Sequence, residues 1–235
     1  MALKVVSSLA KKGVLDRVGH GVYLVRPLRA IGRPWAISAF VAVEQSLLGT
    51  PHYIGGLGAL GIHRLSEQIY SSVVDVFSPT YKPPQILASA KIRFHRMPEN
   101  EIPIGKMTVL VEHLPIHVSD PERTLVDALN HPQAFGGVGE GVRAVDRGVD
   151  RVSLSKLVRY AIELSDTAPL QRLAVPIDRH GASEHLLARL AAKIGHPTAV
   201  PAMVPGPRRG PINVRWRISE NDLHERGSGS PSTPR

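Results

Sequence analysis

Cysteine is absent from the 235 residues, which excludes a disulfide framework, a thiolate metal site and a cysteine nucleophile together. Long apolar runs are missing as well. No stretch approaches the length of a bilayer span, and Met1 to Lys12 lacks the continuous apolar core of a signal peptide. The expectation is a cytoplasmic protein with no membrane partner.

The signatures of several enzyme classes are also missing. No pair of aspartates one residue apart follows a glycine-serine turn, as a nucleotidyltransferase would need to hold its metal, and the strand candidate around Thr108–Glu112 lacks the acid-x-lysine order of a carboxylate-lysine nuclease. Eleven histidines are present without an H-E-x-x-H: His113 and His117 stand four apart in strand-forming sequence, and His180 and His185 five apart. The glycine-rich IGGLGALG carries Gly55, Gly58 and Gly61, but no strand is predicted before it and no lysine-serine or lysine-threonine closes it. It reads as neither a P-loop nor a dinucleotide fingerprint. No enzymatic activity, cofactor or metal site is expected.

Acidic residues are scarce at both ends. Residues 1–34 hold Asp16 as their one acid and are net +6, residues 35–150 are net −3, and residues 151–235 return to +6, for a total of +9. A basic end joined to a mildly acidic middle is an electrostatic footprint for nucleic acid, because each phosphate neutralised releases counterions.

What is present begins with a helix pattern. Leu3, Val6 and Leu9 recur at helical spacing, while Lys4, Ser7, Ser8, Lys11 and Lys12 lie on or beside the other face, and Gly13 is placed to cap the C-terminus. Then LDRV alternates apolar and polar, Gly19-His20-Gly21 turns, and VYLV follows as a second strand. Helix, short connection and two-stranded wing make up the second half of a winged helix-turn-helix. Only Met1 and Ala2 stand upstream, where the motif has further helices, so the expected module is a truncated winged helix. Pro27 to Pro34 has linker composition, and the divisions expected are residues 1–30, 31–220 and a disordered tail at 221–235.

Beyond the linker, helices are predicted from Trp35 to near Gly49 and across Tyr53–Gln68, with strands at Ser71–Phe77, Lys91–His95, Lys106–Glu112 and Pro115–Val118. Ser119-Asp120-Pro121-Glu122 then predicts a helix start with Ser119 as the cap and Glu122 completing a capping box. Asp127 lies four residues after Arg123, the spacing of a helical ion pair. Further helices are predicted at Val138–Arg147, Ser153–Leu164, Pro169–Arg179 and Ser183–Ile194, and a last strand at Asn213–Ile218. The fold class is α+β, a truncated N-terminal winged helix followed by a larger mixed α/β domain.

Four segments together, GHGVYLVRP at 19–27, PHYIGGLGALGIHRLSEQ at 51–68, HVSDPERTLVDALNHPQAFGGV at 117–138 and RWRIS at 215–219, resemble the AbiEi antitoxins of bacterial toxin–antitoxin systems. The resemblance spans roughly Leu3 to Ile218, and the SDPERTL segment is its most specific part. It implies a transcriptional autoregulator that binds promoter or operator DNA and counters a cognate nucleotidyltransferase-like toxin. DNA contacts are expected from Lys4, Ser7, Ser8, Lys11, Lys12, Arg17 and His20. The alternative is a protein-interaction module whose vestigial winged segment no longer binds DNA.

Overall fold

In a computed structural model, residues 2–19, 21–26, 28, 31, 37–66, 72–207 and 210–221 are described. Of the tail expected at 221–235, residues 222–235 lie outside them, whereas Asn221 is held by side-chain hydrogen bonds to the Val204 backbone. The first helix, α1 (Ala2–Lys11), ends as its sequence dictates. Gly13 takes φ +68, a conformation open to glycine without a Cβ penalty. The Gly13 and Val14 amides donate back to the Ala10 and Leu9 carbonyls, each at 3.0 Å, the paired closure of a Schellman motif. That turn delivers the chain into β1 (Leu15–Gly19), which pairs antiparallel with β2 (Val22–Val25), Leu15 opposite Val25 and Gly19 opposite Val22. The hairpin predicted from LDRV and VYLV is thus present.

Six further strands form one mixed sheet: β3 (Tyr53–Gly55), β4 (Val73–Ser78), β5 (Gln85–Leu87), β6 (Ala90–Arg96), β7 (Lys106–Val111) and β8 (Leu114–Ser119), in the order β5-β6-β4-β3-β8-β7. β3 runs parallel to β8, and β4 parallel to β6; the other neighbours are antiparallel. The strands expected from alternation are all there. One prediction is corrected: the sequence from Tyr53 is not helical throughout, because Tyr53–Gly55 is a central strand and only α3 (Gly56–Ile62) is helix. Tyr53 and Ile54 are fully buried, Ile54 sits between Val76 and Val118 in the register, and the Tyr53 ring stacks on Phe77 at 5.1 Å. Those partners come from distant sequence, and they override the local pattern. The helix predicted from Trp35 is described as α2 (Ala39–Ser46).

The chain divides into two compact units, Met1–Ala59 with Gln68–Ser119, and Leu60–Glu67 with Asp120–Arg235. From the sequence a boundary was expected near residue 30. Instead α1 and its hairpin share the first unit with the sheet, because α2 packs on β1 and β2 and also on β8.

In the second unit the helices are α4 (Pro121–Asn130), α5 (Val138–Gly148), α6 (Leu154–Leu164), α7 (Thr167–Arg179) and α8 (Glu184–Ile194). Their buried faces carry Leu125, Val126, Val142, Val145, Leu157, Leu173 and Leu190, the i, i+3, i+4 positions of amphipathic helices. The cap of α4 is corrected by one residue. Ser119 is the last residue of β8, and Asp120 is the N-cap, its side chain accepting from the Arg123 amide at 2.8 Å. Pairing of Ser119 with Lys106 keeps Ser119 in the sheet, so the cap passes to the next polar side chain. Glu122 is diverted from a capping box to the start of α6: its carboxylate accepts from the Ser153 amide at 2.9 Å and pairs with Lys156 at 3.0 Å. The strand expected at Asn213–Ile218 is a small hairpin, β9 (Ile212–Asn213) and β10 (Ile218–Ser219), because the Asn213 side chain accepts from the Trp216 amide and turns the chain between them.

Asp120 also accepts from the Tyr160 hydroxyl at 3.1 Å and pairs with Lys156 at 3.0 Å. Asp120→Ala is therefore expected to lower stability by about 1–2 kcal/mol, the upper part of the range for a cap, and Asp120→Asn by less. Urea unfolding measures both; equal losses for the two variants would show that cap geometry is not the cause.

Candidate nucleic-acid interface

The exposed face of α1 is set by its own periodicity. Val6, Leu9 and Ala10 are half-buried toward the hairpin side, where α1 packs on β1, leaving Lys4, Ser7, Ser8 and Lys11 exposed. These four line one open groove of about 420 Å³. Positions 4, 8 and 11 stack along one side of a helix with 7 beside them, so the groove follows from spacing alone. Lys12 is exposed in the turn after the helix, and Arg17 is exposed on β1. His20 lies outside the described residues. Six of the seven residues expected from the sequence thus stand on one helix and the hairpin that follows it.

Not every cation of this segment faces solvent alone. Arg26, just past β2, holds Asp16 of β1 with two parallel hydrogen bonds of 2.6 and 2.8 Å, a bidentate pair. The Arg26 amide also donates to the Val14 carbonyl at 2.8 Å, lengthening the hairpin at its base. The one acid of the basic segment is therefore consumed within the hairpin, and it does not neutralise Lys4, Lys11 or Lys12.

No family model matches the chain, and no curated protein matches it. The chain is similar in structure to the RV2827C protein from Mycobacterium tuberculosis. The crystal structure of that protein aligns with a TM-score of 0.63 at 15% identity, over 92% of this chain and 78% of that one. At this identity the likeness is one of fold: a mixed α/β protein. Among the described residues, no helix is long and apolar enough to cross a membrane.

Two polar clusters of the first unit escaped the sequence reading. Asp75 of β4 is fully buried, and it accepts two hydrogen bonds from Arg93 at 2.8 and 2.9 Å and faces His95 Nε2 at 2.6 Å. The parallel register sets Asp75 beside Arg93 and Phe77 beside His95, and the His95 ring stacks on Phe77 at 4.9 Å. A buried carboxylate compensated in this way ties β4 to β6.

The second cluster joins Glu44 of α2, His52 ahead of β3 and His117 of β8. Glu44 Oε2 is 3.1 Å from His52 Nε2, Glu44 Oε1 is 2.6 Å from His117 Nδ1, and the His117 amide donates to Oε2 at 2.9 Å. Burial pushes the Glu44 carboxyl up, but the hydrogen bonds from His52 and from the amide and ring of His117 outweigh it and hold the group at about 2. His113, paired with His117 in the sequence reading, lies exposed in the β7–β8 turn at φ +65 and does not join this group.

The glycine-rich segment is also corrected. A strand, β3, does precede it, yet a Cβ on Gly58 would lie 2.9 Å from the Phe40 ring. Close packing of α3 on that ring accounts for the glycine, and no ligand is needed to explain it.

Proposed function

We propose that this chain is a DNA-binding transcriptional autoregulator of the antitoxin type, acting in the cytoplasm on promoter or operator DNA and carrying no catalytic chemistry of its own. The observation that carries the reading is the exposed face of α1, where Lys4, Ser7, Ser8 and Lys11 share one groove, with Lys12 exposed in the following turn and Arg17 exposed on β1. Lysines at its two ends suit phosphate, which positions a protein without reading sequence, while short hydroxyl side chains between them suit base edges. A helix in the major groove with a hairpin along the backbone is the docking geometry of a winged helix. The resemblance to AbiEi antitoxins in SDPERTL and GHGVYLVRP supports the same reading and extends it to a cognate nucleotidyltransferase-like toxin.

The test is titration of promoter DNA upstream of the protein's own gene at several salt concentrations. Each phosphate contact contributes close to one unit to the slope of log affinity on log salt, so Lys11→Ala with Arg17→Ala is expected to flatten it by roughly two. Ser7→Ala or Ser8→Ala is expected to alter sequence preference and leave the slope nearly unchanged. Absence of salt-sensitive binding, or a double variant with the parent slope, would replace this reading with that of a protein-interaction module. Co-purification with the product of the adjacent gene tests the toxin-directed part, and a folded chain that fails to retain it counts against that part alone.

A further inference from the structure

In the Glu44–His52–His117 group two imidazole nitrogens face the two oxygens of one carboxylate. His52 Nδ1 lies 2.8 Å from the Thr50 carbonyl oxygen, which can only accept, so Nδ1 carries a hydrogen. The other ring nitrogen, Nε2, faces Glu44 Oε2 at 3.1 Å. His117 Nδ1 faces the remaining carboxylate oxygen at 2.6 Å. Two ring nitrogens and a carboxylate converge, with ligand atoms all within 4.8 Å of one another. A cation among them satisfies the arrangement. A metal ion replaces the hydrogens on the two facing ring nitrogens and takes all three donor atoms at once.

The geometry points to a divalent transition-metal site formed by Glu44, His52 and His117, with zinc the ion that suits its donors best. Two imidazoles and one carboxylate are the three-ligand set that zinc accepts while keeping a fourth, open position. The Thr50 carbonyl is the outer partner that fixes the tautomer of a ligating histidine and presents Nε2 to the metal. Glu44 supplies the carboxylate oxygen of the set. Access is from one side: the side chain of His117 is 40% exposed, while His52 and Glu44 are 4% and 7% exposed. Imidazole nitrogens select against magnesium and calcium, which prefer oxygen. The three ligands come from α2, the lead into β3, and β8, so the ion fastens α2, the helix that packs on the hairpin, to the sheet. This inference is independent of DNA binding.

The experiment uses the full chain stripped with a chelator and titrated with zinc by calorimetry. One ion per chain is expected, with a rise in the thermal midpoint, no response to magnesium, and a visible absorption band of tetrahedral cobalt when cobalt(II) replaces zinc. His117→Ala removes the most exposed ligand, and Glu44→Gln preserves shape while removing the charge; each is expected to weaken zinc by about 100-fold or more, above the range typical of outer-shell losses. A measurement on the unaltered protein covers the case where a variant fails to fold: nitrogen-15 resonances of His52 Nε2 and His117 Nδ1 are expected to shift together on adding one equivalent of zinc. Absence of zinc uptake by the folded chain, uptake unchanged in folded His117→Ala or Glu44→Gln, or imidazole shifts confined to other histidines would each overturn the site.

Discussion

Asp127→Ala is expected to cost about 3–5 kcal/mol, because it removes the carboxylate from an arginine that has left water. Arg123 is 1% exposed and Asp127 fully buried, with Arg123 Nε donating to Asp127 Oδ1 at 2.8 Å across one turn of α4. An exposed pair at this spacing contributes only a few tenths of a kcal/mol. Burial changes the sign of the argument rather than the strength of the bond. The intact pair adds little net stability, since desolvation offsets the attraction, but a buried guanidinium deprived of the Asp127 carboxylate keeps its desolvation cost and loses that charge partner. It follows that Arg123→Met with Asp127→Leu should recover most of the loss, both charges having gone. Urea unfolding of the single and double variants measures this. A single variant within 1 kcal/mol of the parent, or a double variant worse than the single, would sink the account.

The second large effect is expected at Trp216, where Trp216→Ala should lower stability by about 3–5 kcal/mol, the range for truncating a buried large aromatic. Trp216 is fully buried in the turn between β9 and β10. Its indole N–H donates to Asp178 of α7 at 2.7 Å, and its carbonyl accepts from Gln171 of the same helix at 3.0 Å. The Arg215 guanidinium lies 5.1 Å from the ring centroid. The ring therefore fixes a two-stranded hairpin that is too short to be stable alone. Trp216→Phe keeps most of the volume and loses the N–H, so a loss of about 1 kcal/mol is expected from the hydrogen bond. Equal losses for the Phe and Ala variants would show that the cavity is not the source.

The SDPERTL segment, the most specific part of the sequence resemblance, is structural in every described member. Asp120 caps α4, Glu122 accepts from the start of α6, Arg123 and Asp127 form the buried pair, and the Thr124 hydroxyl donates to the Asp120 carbonyl at 2.7 Å. Lys156 joins the same network, its ammonium raised to about 12 against desolvation by Asp120 and Glu122. A segment distinctive in sequence can thus reflect a demanding helix junction.

Local chemistry was enough to read the helices of the second unit, the Gly13 closure of α1, the β1–β2 hairpin and the exposed Lys4–Lys11 face, because each depends on residues a few positions apart. Sheet membership was legible where strands alternate, and it failed at Tyr53–Gly55, whose partners Phe77 and Val118 lie far along the chain. The Ser119 cap failed for the same reason, since pairing with Lys106 claimed that residue for β8. The Glu44–His52–His117 group had no signal in the sequence at all. Its members are separated by 8 and 65 positions and match no ligand spacing. Parallel pairing of Ile54 with Val118 brings His52, two residues before Ile54, close to His117, one residue before Val118, and α2 lays Glu44 against β8. Sequence by itself determined the elements and the charged helix face, through short-range backbone and periodicity effects; tertiary structure alone decided the convergent site, because strand register is a long-range choice made by the whole core.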